Sequence, residues 1–160
     1  MVLVRAGKAE DVAEVHRLVI ELALYEREPA SSVVLTAEQM ARDFAGGAFE
    51  LFVSERPEGN GLAGFAMWYR RYSTWTGRCV YLEDLFVEEA HRGRGVGTAL
   101  FEAVMRKAAE LNAARMEWVC LAWNEPAVKF YRERFSAQVD AEWLQCRVVR
   151  QQLQNTFAKQ

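Results

Sequence analysis

From Arg78 to Leu111 the chain reads RCVYLEDLFVEEAHRGRGVGTALFEAVMRKAAEL: an apolar run, a glycine-rich basic stretch, then an amphipathic run. This order constrains the fold more than any other feature of the sequence. The first part predicts a central strand, Arg78–Glu89. The last part predicts a helix with Leu100, Val104, Ala108 and Leu111 along one side. Between them, Gly93, Gly95 and Gly97 free the backbone to turn its amides toward a ligand, and Arg92 and Arg94 add positive charge at a helix N-terminus. Such a junction is an anion cradle at the C-terminal end of a central strand, where sheets of this kind bind ligands.

The remaining segments supply a sheet and helices around that junction. Leu3–Ala6 predicts a short first strand. Val12, Val15, Leu18, Val19, Leu22 and Tyr25 recur at helical spacing and predict a helix running out near Glu26 before Pro29. Thr36–Gln39 has the form of a capping box and opens a second helix ending before Gly46–Gly47. Phe49–Glu55 and Leu62–Tyr72 read as strands joined by a turn on Pro57, Gly59 and Gly61, hence a hairpin. Arg115–Ala122 reads as a buried strand. Asn124–Arg134 opens with a capping Asn and an early Pro, both favourable at helix starts. Trp143–Val149 reads as a last strand that closes the sheet. The expected order is therefore β-α-α-β-β-β-α-β-α-β, an α/β fold with a mixed sheet flanked by helices. With 160 residues and no linker, repeat or low-complexity segment, the expectation is one domain over 1–160.

Composition removes several function classes. Twenty basic and 22 acidic residues leave a net charge of −2, unlike the basic footprint of a general nucleic-acid binder. No apolar run approaches the roughly 18 residues that span a bilayer, and the N-terminus lacks a signal-peptide pattern, so no membrane partner is expected. Cys79, Cys120 and Cys146 are far apart and odd in number, without metal-ligand spacing. They predict reduced thiols in a cytoplasmic protein and no metal site. Cys120 is expected to be a buried strand residue rather than an acyl-accepting nucleophile, since His16 and His91 are the only histidines that could serve it as a base.

Three phosphate loops can be compared with this one. A P-loop requires Lys-Ser/Thr after its last glycine, and none follows here. A dinucleotide loop requires GxGxxG after the first strand, whereas Gly93-x-Gly95-x-Gly97 breaks that spacing and lies past mid-chain. Arg92-Gly93-Arg94-Gly95-Val96-Gly97 fits the third pattern, Arg/Gln-x-x-Gly-x-Gly/Ala. With it, the chain resembles the GNAT superfamily of N-acetyltransferases. Within that superfamily RLVIELALYERE, GFAMWYRRYSTWTGRCVYLEDLFVEEAHRGRGVG and WNEPAVKFYRER resemble the spermidine/spermine (diamine) acetyltransferases, and YSTWTGR is closer to their thialysine-acetylating branch.

The resemblance implies a fold whose fourth strand is bulged, acetyl-CoA as co-substrate, and a homodimer. It implies that Glu83 takes the proton of the acceptor amine and that Tyr131 protonates the departing thiolate. Backbone groups of Leu85, Phe86 and Val87 would hold the thioester and pantetheine arm. Arg92, Gly93, Arg94, Gly95, Val96, Gly97 and Thr98 would hold the pyrophosphate. Asn124, Glu125, Pro126, Ala127 and Tyr131 would make further cofactor contacts. Substrate contacts carry over to Tyr25, Glu26, Glu83, Asp84, Glu117, Trp118 and Val119. The chain departs from the family at Phe135-Ser136, where Gly-Ala is usual, so a bulky residue is expected at a left-handed turn position. Adjacent strand residues face opposite ways, so Glu83 and Asp84 share a job only if the strand bulges there. The acceptor implied is a small primary amine: thialysine, a lysine- or ornithine-like amino acid, or a polyamine such as spermidine. A protein lysine or N-terminus as acceptor, and a CoA-binding sensor without turnover, stand as alternatives.

Overall fold

The computed structural model describes residues 2–157, which form two compact units, residues 2–119 and residues 120–157. The first contains strands β1 (Val4–Ala6), β2 (Glu50–Glu55), β3 (Leu62–Ser73), β4 (Gly77–Val87) and β5 (Arg115–Glu117). It also contains helices α1 (Val12–Tyr25), α2 (Ala37–Ala45) and α3 (Val96–Glu110). The second contains α4 (Glu125–Phe135) and α5 (Arg150–Phe157).

The strands lie in the order β1-β2-β3-β4-β5, antiparallel except for the parallel pair β4–β5. Short turns join β2 to β3 and β3 to β4, α1 and α2 lie between β1 and β2, and the parallel pair needs a crossover, which α3 provides. One face of the sheet is covered by α1 and α2: Val12, Val15, Leu18 and Met40 pack with Leu51, Val53, Phe65, Met67 and Phe86 in one buried cluster. The register Leu51↔Met67 and Val53↔Phe65↔Phe86 puts those strand residues on the same side. The opposite face meets α3, whose Leu100, Phe101 and Val104 are fully buried. Covered on both faces, β3 is buried from Leu62 to Trp68, and from Tyr69 onward it projects past the helices.

The capping box at Thr36 forms as expected: Gln39 N donates to Thr36 Oγ1 at 3.2 Å and Thr36 N to Gln39 Oε1 at 3.0 Å. Three sequence expectations are corrected. Residues 143–149 form no strand; the second unit holds no strand at all among its described residues, so the β-propensity of Trp143, Leu144, Val148 and Val149 has nothing to pair with. All four are exposed, and a helix starts at Arg150 instead. Strand β5 ends at Glu117, so Cys120 lies beyond it and is exposed rather than a buried strand residue. Finally, the left-handed position after α4 falls on Ser136 (φ 54°), while Phe135 stays inside the helix. The bulky residue therefore escapes the strained conformation.

An ion cluster fixes the end of β4 to its surroundings. Glu88, nearly buried, accepts from Arg17 Nη2 of α1 at 2.8 Å and from Arg56 Nε of the β2–β3 turn at 2.9 Å. Burial pushes this carboxyl up, but the bonds from Arg56 and Arg17 outweigh it and hold it below the usual range. Gly64 sets a second close approach: a Cβ there would lie 2.5 Å from Phe86 O and 3.2 Å from Val87 Cα. Because both obstacles are backbone, Gly64→Ala must push β4 away from β3. It should destabilise the fold by about 1–3 kcal/mol, read as a lowered thermal midpoint with the helical circular dichroism retained.

Candidate functional site

In the β3–β4 register Met67 pairs with Asp84 and Trp68 with Leu82, leaving Glu83 as the extra residue of a bulge. The bulge sits where the resemblance implies it, and it changes which side chains share a face. Before it, Tyr81 lies opposite Tyr69 on the α1/α2 side; after it, Asp84 lies opposite Met67 on that same side. Glu83 itself is exposed, and its charge bears on the neighbouring Tyr69 phenol.

Three carboxylates gather at this point. Burial, then the neighbouring charges of Glu83 and Glu26, push the Asp84 carboxyl up to about 7. Glu26, at the C-terminal end of α1, is also raised, by burial and then by Glu28. Such a site attracts a cation, which would restore the ionised form of Asp84. Tyr69 and Tyr81, with rings 5.2 Å apart, are each raised by burial and then by Glu83, so both remain hydrogen-bond donors at neutral pH.

Beside the bulge, β4 loses its neighbour. It pairs with β5 only at Cys79↔Arg115, Val80↔Met116 and Tyr81↔Glu117. From Leu82 on, that edge has no paired strand among the described residues. Glu88 N donates to Ala63 O at 2.9 Å, across the β3 side. By strand alternation Phe86 also bonds toward β3, while the amides of Leu85 and Val87 face the open edge. Val87 O confirms this direction, since Arg92 Nε reaches it at 2.8 Å from the loop. Of the three predicted backbone contacts, Leu85 and Val87 point outward, whereas Phe86 is committed to the sheet and its side chain to the core.

The loop then turns through Gly93 (φ 71°) and Gly95 (φ 84°), both left-handed. A Cβ would meet nothing at either position, so conformation rather than crowding calls for glycine. Gly95 is the N-cap of α3 and offers no side chain to its first amides, at Val96, Gly97 and Thr98. A Cβ at Gly97 would lie 3.6 Å from Val87 Cγ2, an ordinary contact, so crowding by the protein does not call for glycine there either. Arg94 is exposed. The Arg92 guanidinium is instead folded over Tyr25 (4.7 Å to the ring) and Phe86 (5.4 Å). The residues present thus fit a pyrophosphate: uncapped amides at a helix start, open glycines and one outward cation.

Other predicted substrate residues are held by neighbours. Glu117 contacts Arg115 at 2.9 Å and Arg71 at 3.4 Å, so its charge is already balanced. Trp118 packs edge-on against Phe101 of α3 at 5.2 Å. Val119 is exposed. In the second unit, Asn124 Oδ1 accepts from Ala127 N at 3.3 Å, capping α4. Tyr131 is buried, with Phe130 at 5.1 Å. A groove of about 620 Å³ runs along α4, lined by Glu125, Pro126 and Lys129 among others. Sequence reasoning missed Tyr69, Tyr81 and Arg71, because only the register reveals that they stand beside Glu83.

The sequence of residues 10–136 matches the Acetyltransferase (GNAT) family. The chain belongs to that family, and it is an acyltransferase. It is 33% identical over 139 residues to thialysine N-epsilon-acetyltransferase of Sus scrofa, a match covering 82% of this chain and 81% of that one. It is 31% identical over 146 residues to spermidine/spermine N(1)-acetyltransferase-like protein 1 of Homo sapiens, covering 87% of this chain and 21% of that much longer protein. An integron cassette protein from the mobile metagenome of V. cholerae shares the fold, with a TM-score of 0.76 at 21% identity over 99% of this chain and 98% of its own. Both the recognition of the family and the mixed-sheet fold read from the sequence hold. Among the described residues no helix is long and apolar enough to cross a membrane.

The raised Asp84 carboxyl gives a stability test. Its folded value lies above the unfolded one, so ionising it opposes folding. Nothing is lost below about pH 4, where both states are protonated; the penalty grows as pH rises and is complete once pH passes about 7. Asp84→Asn should therefore be more stable than the parent at pH 8, with the gap closing by pH 4, as measured by denaturant titration at each pH.

Proposed function

We propose that the chain is an acetyl-CoA-dependent N-acetyltransferase acting on the primary amine of a small cationic acceptor, by direct attack within a ternary complex. The observation that carries this reading is the bulge at Glu83, which sets a carboxylate beside a strand edge whose amides at Leu85 and Val87 are open. An acceptor amine resembles lysine, with a pKa near ~10.4, and must lose a proton before attack. Glu83 takes that proton, directly or through water. The open amides stabilise the charge that develops on the thioester oxygen. The glycine loop and the first turn of α3 bind the pyrophosphate. Tyr131 returns a proton to the leaving thiolate, and Asn124, Glu125, Pro126 and Ala127 complete the cofactor site.

The names of the relatives support a small amine as acceptor. The family match crosses the boundary at residue 119, which supports one acetyltransferase domain over 1–160. As the resemblance implies, the enzyme is further proposed to be a cytoplasmic homodimer.

Thiol release from acetyl-CoA, assayed with thialysine, lysine, ornithine, putrescine, spermidine and a lysine-bearing peptide, tests the reading. Turnover of at least one free amine, and none of the peptide, is expected; turnover of the peptide alone would overturn the small-acceptor assignment. Tyr131→Phe should lower kcat on the order of 100-fold while calorimetric acetyl-CoA affinity stays within twofold. An unchanged kcat would remove Tyr131 from the mechanism.

A further inference from the structure

Along the α1/α2 side of β3 and β4, the segment that projects past the helices carries charge of opposite sign at its two ends. At one end stand Glu83, Asp84 and Glu26. In the middle, Tyr69, Tyr81 and Glu117 form a cross-strand row, paired in register. At the other end Arg71, two residues beyond Tyr69 on the same face, folds its guanidinium over the Tyr81 ring at 5.4 Å. Arg71 and Arg115 share the single charge of Glu117, which leaves this end with one net positive charge. The Arg71 side chain is 51% exposed, and its contact with Glu117 is loose at 3.4 Å. Half-exposed and loosely held, the guanidinium keeps donors available in the planar fork that matches a carboxylate.

Resting on the acetyl-transfer reading above, we propose that Arg71 is a specificity-determining residue that binds a carboxylate of the acceptor. The acceptor is then an α-amino acid with a terminal side-chain amine, rather than a polyamine. The spacing agrees: the Arg71 backbone pairs with Cys79, but its guanidinium reaches the Tyr81 ring, and Tyr81 precedes the bulged Glu83 by two residues, at most about 7 Å of strand. The six bonds from the terminal nitrogen of a lysine-type side chain to its carboxylate carbon span roughly the same distance. A polyamine in this position would bring a second cation against Arg71, which like-charge repulsion disfavours. The tyrosines between the two ends, with rings 5.2 Å apart, give the aliphatic chain an apolar floor.

Lysine and cadaverine test this directly, since they share the amine and spacer and differ by the carboxylate. In the parent enzyme kcat/KM for lysine should exceed that for cadaverine by at least about tenfold. Arg71→Gln should lower kcat/KM for lysine roughly 10- to 100-fold through KM, and raise that for cadaverine several-fold as the repelling cation is removed. Arg71→Lys, keeping the charge without the fork, should recover part of the lysine preference. A parent enzyme that favours cadaverine, or an Arg71→Gln variant in which both amines fall together, would overturn the assignment to Arg71 while leaving acetyl transfer standing. Failure of the parent enzyme to acetylate any amine would overturn the acetyl-transfer reading and this inference with it. Arg71 is exposed, so the variants should fold, and matching thermal midpoints verify it.

Discussion

The parting of β4 from β5 is the constraint on which the site depends. A parallel pair held by only three registered positions leaves the second half of β4 with donors and acceptors that the sheet does not use. In a core strand that would be a defect. Here it creates a row of backbone groups beside the one residue of β4 that the register leaves out. The fold is organised to keep that edge still: β3 is clamped to β4 by the close approach at Gly64, and Glu88 is tied to α1 and the β2–β3 turn.

Charge is distributed so that each part of the site keeps its own sign. Glu88 is neutralised by arginines and serves as an anchor, not as a ligand. Arg92 spends its side chain on Tyr25, Phe86 and a carbonyl, leaving helix amides and Arg94 to face an anion. The acids at the bulge are kept near each other without a compensating cation, which is why burial and mutual repulsion raise Asp84. Neighbouring elements thus separate an electropositive end from an electronegative end along a single strand–loop–helix junction.

How far the sequence reveals this depends on whether the governing interaction is local. The capping box at Thr36, the glycine turn before α3 and the Asn124 cap are set by residues within a few positions of one another, and all three are legible. The end of strand β5, three residues in where the sequence suggests eight, and the lack of pairing at residues 143–149 are not, because apolar alternation registers a preference for pairing but cannot supply the partner. Tyr69, Tyr81 and Arg71 are ordinary in sequence; their place beside Glu83 depends on a cross-strand register that runs through a bulge. The Phe135-Ser136 departure looked like a strained turn, yet the helix simply ends one residue later, on a small polar side chain that tolerates the left-handed region.

The bulge also divides β4 into halves of opposite parity. Up to Tyr81 the odd-numbered residues look toward α1 and α2; from Asp84 onward the even-numbered ones do. Losing residue 83 would restore an unbroken register and keep Cys79, Tyr81, Asp84 and Phe86 all on that side, so the core contacts would survive and only the bulge would go. Residue 83 is therefore dispensable to the sheet and indispensable to the bulge: it is the one position of β4 that the ladder does not use. A chain shortened by that one residue would keep its core and lose the carboxylate that stands outside the ladder.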